Sequence, residues 1–249
     1  MPWLSVGRKI GIAGLAALIG GVLVLGVGGR LAMRLSGAMA TLNDPGIRFA
    51  LTGDGFRVGV ITLEDSLGLV VFGGIFGSLI AAGYWALLKQ HLPARRNLLY
   101  AGLAAAAIGG NNFVKPDNVD FVILQPIALN VVLYPVLSAL AGLAIVAIDH
   151  KLERGGFATG TTGATVLTAL GLLGSGLLLT LIVVAIPDEP FMAAELLALG
   201  VVTIPFWAAE IPVRPAPSWI VRTAPLVAVG VIVVEWLRLA TSAVEILTR

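Results

Sequence analysis

The chain has 249 residues, of which 58% are hydrophobic and 12% charged, with a formal net charge of +2. A soluble domain carries roughly 25% charged residues, so the composition excludes an ordinary soluble fold, and the small surplus of basic residues excludes a nucleic-acid surface. There is no cysteine, which removes thiolate nucleophiles, disulfides, iron–sulfur clusters and cysteine zinc sites.

The apolar runs predict an all-α membrane protein forming a single polytopic domain over residues 1–249. About seven transmembrane helices are expected, at residues 10–39, 65–88, 97–110, 126–148, 162–186, 190–209 and 219–247. About 20 apolar residues cross ~30 Å of hydrocarbon at 1.5 Å per residue. The first run competes with a signal peptide, because Arg8 and Lys9 precede it and Ala38-Met39-Ala40 resembles a cleavage site. A signal-peptide core is only about 7–15 residues long, and Arg30 and Arg34 intervene here, which favours a retained helix. The third run is short and rich in alanine, as suits a helix that is tilted, packed inside the protein or extended into the polar stretch after it. Pro205 is expected to kink the sixth.

Between the first two runs, Asn43-Asp44-Pro45-Gly46 reads as a turn. Residues 47–62 then read as a small β-hairpin, two β-prone arms around Gly53-Asp54-Gly55, on the extracytoplasmic side. Orientation follows the basic residues. With the N-terminus inside, Arg8, Lys9, Lys89, Arg95, Arg96, Lys151, Arg154, Arg214 and Arg222 are cytoplasmic, and most acids lie outside. The expected topology is a cytoplasmic N-terminus and an extracytoplasmic C-terminus. A weak internal match sets Lys89-Gln90-His91-Leu92 against Asp149-His150-Lys151-Leu152 at an offset of about sixty residues. Duplication would produce it, and so would the charge rule acting on two helices of the same direction.

Four polar groups stand out. Arg30 and Arg34 are one helical turn apart and share a face, as a clamp for phosphate or carboxylate would require. The plainer reading pairs them with Glu64, Asp65 or Asp120. The most polar stretch, Gly109 to Phe121, offers Asn111, Asn112, Asp117, Asn118 and Asp120. It lacks the glycine and terminal glutamate of a calcium loop, and Lys115 would repel a cation, so no metal site is assigned. A hydrophilic loop capped by Asp117 or Asn118 is the simpler reading. From there Gln125, Asn130 and Tyr134 continue as a polar face into the fourth run, where polar groups face a bundle interior or a water-filled path. Glu195 on the sixth run and Glu235 with Arg238 on the seventh stand at similar depth, as an ion relay or as an ion pair that fixes packing. The glycines of Gly73-Gly74 and Gly171 to Gly176 suit close helix contact. The tryptophans (Trp3, Trp85, Trp207, Trp219, Trp236) fall mainly near run ends, as interfacial anchors do.

No catalytic constellation is present and no cofactor is implied. His91 and His150 lie past the ends of apolar runs, where they could not hold a membrane haem, and no lysine inside a run offers a retinal attachment point. The segments "GGRLAMR", "DGFRVGVITLEDSLGLVVFGGIFG" and "VDFVILQPIALNVVLYPVLSALAGLA" resemble an uncharacterised family of multi-pass membrane proteins of actinobacteria and related bacteria, over about residues 28–143. The resemblance implies a bacterial plasma membrane and no activity. Its recurring polar residues are Arg30, Arg34, Asp54, Thr62 and Asp120.

Three functions follow as expectations. The first is a non-enzymatic integral membrane protein that binds a partner or lipid at its outer face, as a subunit of a membrane complex or alone. The second is a small transporter or channel using the polar face of the fourth helix. The third is an enzyme acting on lipid-linked phosphate. The lipid bilayer and membrane-protein partners are the expected partners; nucleic acid is not.

Overall fold

The computed structural model describes residues 2–52, 58, 62–92, 97–157, 159–185, 190–209 and 217–249. The described residues are 86% helical, with no strand among them. The helices are α1 (Pro2–Gly21), α2 (Gly29–Asn43), α3 (Leu63–Leu69), α4 (Gly77–Leu88), α5 (Asn97–Phe113), α6 (Asp120–Ile123), α7 (Ile127–Arg154), α8 (Thr161–Ala185), α9 (Pro190–Ala209) and α10 (Ser218–Leu247). A π-helical segment, Val22–Gly28, joins α1 to α2 without a break, and a second, Val70–Phe76, joins α3 to α4.

Three helices among the described residues are long and apolar enough to cross a membrane: Leu4–Asn43, Ile127–Arg154 and Ser218–Leu247. This is consistent with a membrane location. Exposed Leu226, Leu237 and Val244 on α10 point the same way, since a soluble surface rarely gathers such side chains. The three correspond to the runs expected at 10–39, 126–148 and 219–247.

The expectation of seven spans is not supported: among the described residues, three helices are long and apolar enough to cross a membrane. The run at 65–88 divides into α3, a π-helical segment and α4, of which only the 12-residue α4 counts as a short apolar helix. The run at 97–110 becomes the 17-residue α5, about 25 Å long at 1.5 Å per residue and short of ~30 Å. The run at 190–209 contributes a short apolar helix, Pro190–Pro205. The run at 162–186 corresponds to α8; its residue 186 and several of its side chains lie outside the described residues.

The hairpin expected at 47–62 is not formed among the described residues; residues 53–57 and 59–61 lie outside them. Asp44 Oδ1 accepts the Gly46 N–H at 2.8 Å and closes a 3-10 turn over Pro45–Ile47. Phe49 then takes φ +73°, which a bulky residue in a strand does not adopt. Two backbone bonds remain, from Phe49 N–H to the Val58 carbonyl at 3.1 Å and from Val58 N–H to the Ala50 carbonyl at 2.9 Å. The β-prone composition was outweighed by the turn chemistry that precedes it.

The chain divides into two compact units, each built from three stretches. One comprises Met1–Ile19, Ser78–Tyr100 and Ile145–Val231; the other comprises Gly20–Gly77, Ala101–Ala144 and Ile232–Arg249.

In the second unit the two π-helical segments meet at glycine. A methyl group on Gly26 would stand 3.3 Å from Val70 Cα, and one on Gly74 would stand 3.2 Å from Val22 Cα. Nearby, α5 packs on α7. A methyl on Gly142 would come within 2.5 Å of Ala105 Cβ and 2.8 Å of the Ala101 carbonyl oxygen, so only glycine permits that approach. An apolar core of Val114, Phe121, Val131, Tyr134, Leu239 and Ile246 completes the unit.

In the first unit α1 crosses α8 where Gly11 lies on Leu167, a methyl there standing 2.5 Å from the Leu167 carbonyl oxygen. Lys151 and Arg154 lie in the last turn of α7, where their charge opposes the negative end of the helix dipole. The helix stops at Gly156, φ +63°. There Phe157 N–H bonds the Leu152 carbonyl at 3.1 Å and Gly156 N–H bonds that of Glu153 at 3.3 Å, the glycine-closed C-terminus that satisfies the final carbonyls.

Candidate functional site

Two polar groupings emerge, one in each unit. The first contains the start of α2. The continuous helix through Gly29 carries Arg30 and Arg34 on one face. Arg30 Nε donates to Ser66 Oγ at 3.0 Å, and Ser66 donates in turn to the Thr62 carbonyl at 2.7 Å. The Arg30 Nη2 atom is buried and has no hydrogen-bond partner among the described residues. Arg34 is exposed. Among the described residues neither arginine is paired with a carboxylate, so the pairing with Asp120 or Glu64 is not made; the side chain of Asp65, the third expected partner, lies outside the described residues. Asp54 lies outside the described residues. Asp120 is buried at the start of α6, its N–H held by Asn118 Oδ1 at 2.9 Å.

The polar face of α7 is closed by hydrogen bonding. Asn130 is 2% exposed. Its Nδ2 donates to the Leu124 carbonyl at 2.6 Å, and its Oδ1 accepts from the Ser36 hydroxyl. Leu124 ends α6 just before Pro126, so its carbonyl needs a partner that the helix cannot supply. Tyr134 is buried, with its ring stacked on Phe113 at 5.4 Å and edge-on to Phe121 at 6.4 Å. Gln125 is exposed in the break between α6 and α7.

Much of the stretch from Gly109 to Phe121, expected as a loop, is helix: α5 runs on to Phe113. Asn112 folds back on the Ile108 carbonyl at 2.9 Å, while Asn111 donates to Glu235 Oε2 at 2.9 Å. Glu235 is 3% exposed and its other oxygen is held by Arg238. Glu195 belongs to the other unit, where its Oε2 accepts from the Tyr84 hydroxyl at 2.8 Å. Each glutamate thus has a neutral hydrogen-bond donor that sequence reading did not supply. An Asn or Tyr inside an apolar run carries no charge, so a search for charged pairs passes over it.

The second grouping is a cavity of about 250 Å³ within the first unit. Its charged wall is Lys9 from α1, Lys89 just past α4, and Asp149 and Glu153 one turn apart on α7. Lys89 Nζ reaches Asp149 Oδ1 at 3.3 Å and Glu153 Oε1 at 3.1 Å. Asp149 is buried, with its side chain 2% exposed against 39% for Glu153. Trp85 and Trp207 add aromatic surface, and Gln90 Nε2 is buried without a hydrogen-bond partner among the described residues. At its edge, His150 Nε2 meets Asn97 Nδ2 at 2.8 Å.

Lys89 and Asp149 are the residues that the sixty-residue match aligned, and in the structure they touch. The match therefore held a contact between two helix ends; reading it only as duplication or charge rule missed that opposite charges in equivalent places can pair. Next to the cavity residues, in the loop after α4, His91 is buried and its Nε2 meets Thr203 Oγ1 at 2.9 Å. Thr203 gives its proton to the Leu87 carbonyl at 3.2 Å, so it accepts from the His91 N–H. Burial lowers the His91 pKa from its ordinary value, keeping the ring neutral at pH 7.

Among the described residues, no three His, Asp or Glu side chains gather as a metal-binding group. Comparison with protein-family models, with curated proteins and with solved structures finds no match to this chain.

Proposed function

We propose that this chain is a non-enzymatic, multi-pass integral membrane protein that binds a phosphate-bearing lipid headgroup through Arg30 and Arg34. The observation that carries the reading is Arg30. One edge of its guanidinium is fixed by Ser66, while Nη2 is buried with no hydrogen-bond partner among the described residues. A buried guanidinium N–H without an acceptor is costly, and a phosphate oxygen supplies one in the geometry arginine favours. Arg34, one turn on and exposed, extends the positive face by a second charge.

Binding is favoured over turnover because Ser66, the hydroxyl beside Arg30, gives its proton to the Thr62 carbonyl and not to a base. The distribution of basic residues favours a cytoplasmic N-terminus, which puts this site on the outer side of a bacterial plasma membrane. Attachment to a larger membrane complex is compatible with the same surface.

The full chain purified in a neutral detergent tests this. Added phosphatidylglycerol is expected to raise its Tm by several degrees more than phosphatidylcholine does. Substituting Arg30→Gln together with Arg34→Gln is expected to abolish that difference. Equal stabilisation by both lipids, or an undiminished preference in the double variant, would overturn the reading.

A further inference from the structure

The cavity beside Lys89 belongs to a different unit from the arginine pair and has its own chemistry. Its wall carries two ammonium groups, Lys9 and Lys89, and two carboxylates, Asp149 and Glu153. The charges balance, so an occupant with a net charge would upset that balance in partly desolvated surroundings. Within this wall the Gln90 amide nitrogen is buried with no hydrogen-bond partner among the described residues, a donor that lacks an oxygen to receive it. Glu153 is the more exposed of the two carboxylates, leaving acceptor capacity beyond its bond to Lys89. Trp207 and Trp85 supply aromatic faces, which attract ammonium groups as well as apolar bodies.

We infer that this cavity is a binding site for a small zwitterion of amino-acid size, its carboxylate received by the Gln90 amide and its ammonium by Glu153 and the Trp207 face. The volume fits that class. At about 250 Å³ the cavity lies below the roughly 300–1,000 Å³ of sites for drug-sized ligands, and it is far too small for a lipid. Gln90 is the informative residue. Lys89 already closes a three-residue network with Asp149 and Glu153, which would be complete without any ligand. The Gln90 amide gains nothing from that network.

Three probes with nearly the same apolar body separate the charge classes: L-leucine, 4-methylpentanoate and 3-methylbutylamine. They are titrated separately into the full chain in detergent, following both Tm and tryptophan fluorescence. L-leucine is expected to raise Tm and shift the fluorescence saturably at millimolar concentration, with each half-probe at least tenfold weaker. Gln90→Leu and Glu153→Gln are each expected to weaken L-leucine at least tenfold. No saturable response to L-leucine would overturn the inference, as would an equal response to either half-probe, or unchanged binding in both variants. The wild-type probe comparison decides the matter even where a variant fails to fold. None of these readouts involves lipid, so failure here is distinct from failure at Arg30.

Discussion

Two polar clusters, one in each unit, handle buried polarity in opposite ways. In the unit that contains Ala101–Ala144, the polar side chains around Asn130 and Glu235 close on one another. Asn130 spends both ends of its amide on Ser36 and Leu124, and Glu235 spends both oxygens on Asn111 and Arg238. No residue from this unit lines the cavity. In the unit that contains Ser78–Tyr100, the Lys89, Asp149 and Glu153 network lies on an open space of about 250 Å³, and the neighbouring Gln90 nitrogen has no hydrogen-bond partner among the described residues. A polar residue in an apolar helix is therefore poor evidence of a site by itself. Space beside it and hydrogen-bonding capacity left unspent are what separate a site from glue.

The largest effect that sharpens this contrast is expected at Lys89. Lys89→Met leaves the Asp149 carboxylate buried without its cation, at a cost of about 3 kcal/mol. The double variant with Asp149→Asn should recover much of that. Thermal unfolding of the single and double variants measures both, and a double variant no more stable than the single one would show that the pair does not act as a unit.

In the closed unit, Asn130→Leu strands the Leu124 carbonyl and the Ser36 hydroxyl together, and a loss of about 2 kcal/mol is expected. The same measurement checks it. A near-neutral result would mean that the break before Pro126 finds other hydrogen-bond partners and that this cluster is less tightly closed than its bonding suggests.

The smallest effect concerns pH. The lowered pKa of His91 means that the unfolded chain takes up a proton near its ordinary value of 6.5 while the folded chain does not. Stability is therefore unaffected by this group above 6.5 and falls as pH drops below it, by up to about 1.4 kcal/mol per pH unit until the folded pKa is reached. Unfolding at pH 7.5 and pH 5.5 should show that loss, reduced in His91→Gln. Identical pH dependence in the variant would place the sensitivity elsewhere.

How much of this was legible beforehand depended on whether a signal was carried by one segment or by two. The all-helical character and the three long apolar helices follow from uninterrupted runs, each sufficient within its own segment. The number of spans did not follow: α5 falls short of the membrane thickness, and the runs at 65–88, 162–186 and 190–209 each hold side chains outside the described residues. The hairpin failed for a local reason: Asp44 captured the Gly46 N–H and set a turn, after which Phe49 left the extended region altogether. Arg30 was visible as a charge in an apolar setting, but its neutral partner Ser66 was not. The cavity demanded most, since Lys9, Lys89 and Asp149 come from three separate elements, and only the second and third left a trace in the sequence.

The paired π-helical segments have a consequence for how this chain tolerates change in length. A π turn carries one residue more than the α turn it replaces. Removing a single residue from Val22–Gly28 could thus be absorbed by a return to α pitch, with α2 keeping its rotation and Arg30 its direction. The same deletion in α7 has no slack to draw on, and would turn every side chain beyond it by about 100°. The segments at Gly26 and Gly74 are in that sense a reserve of length stored in a wall that is otherwise strictly counted.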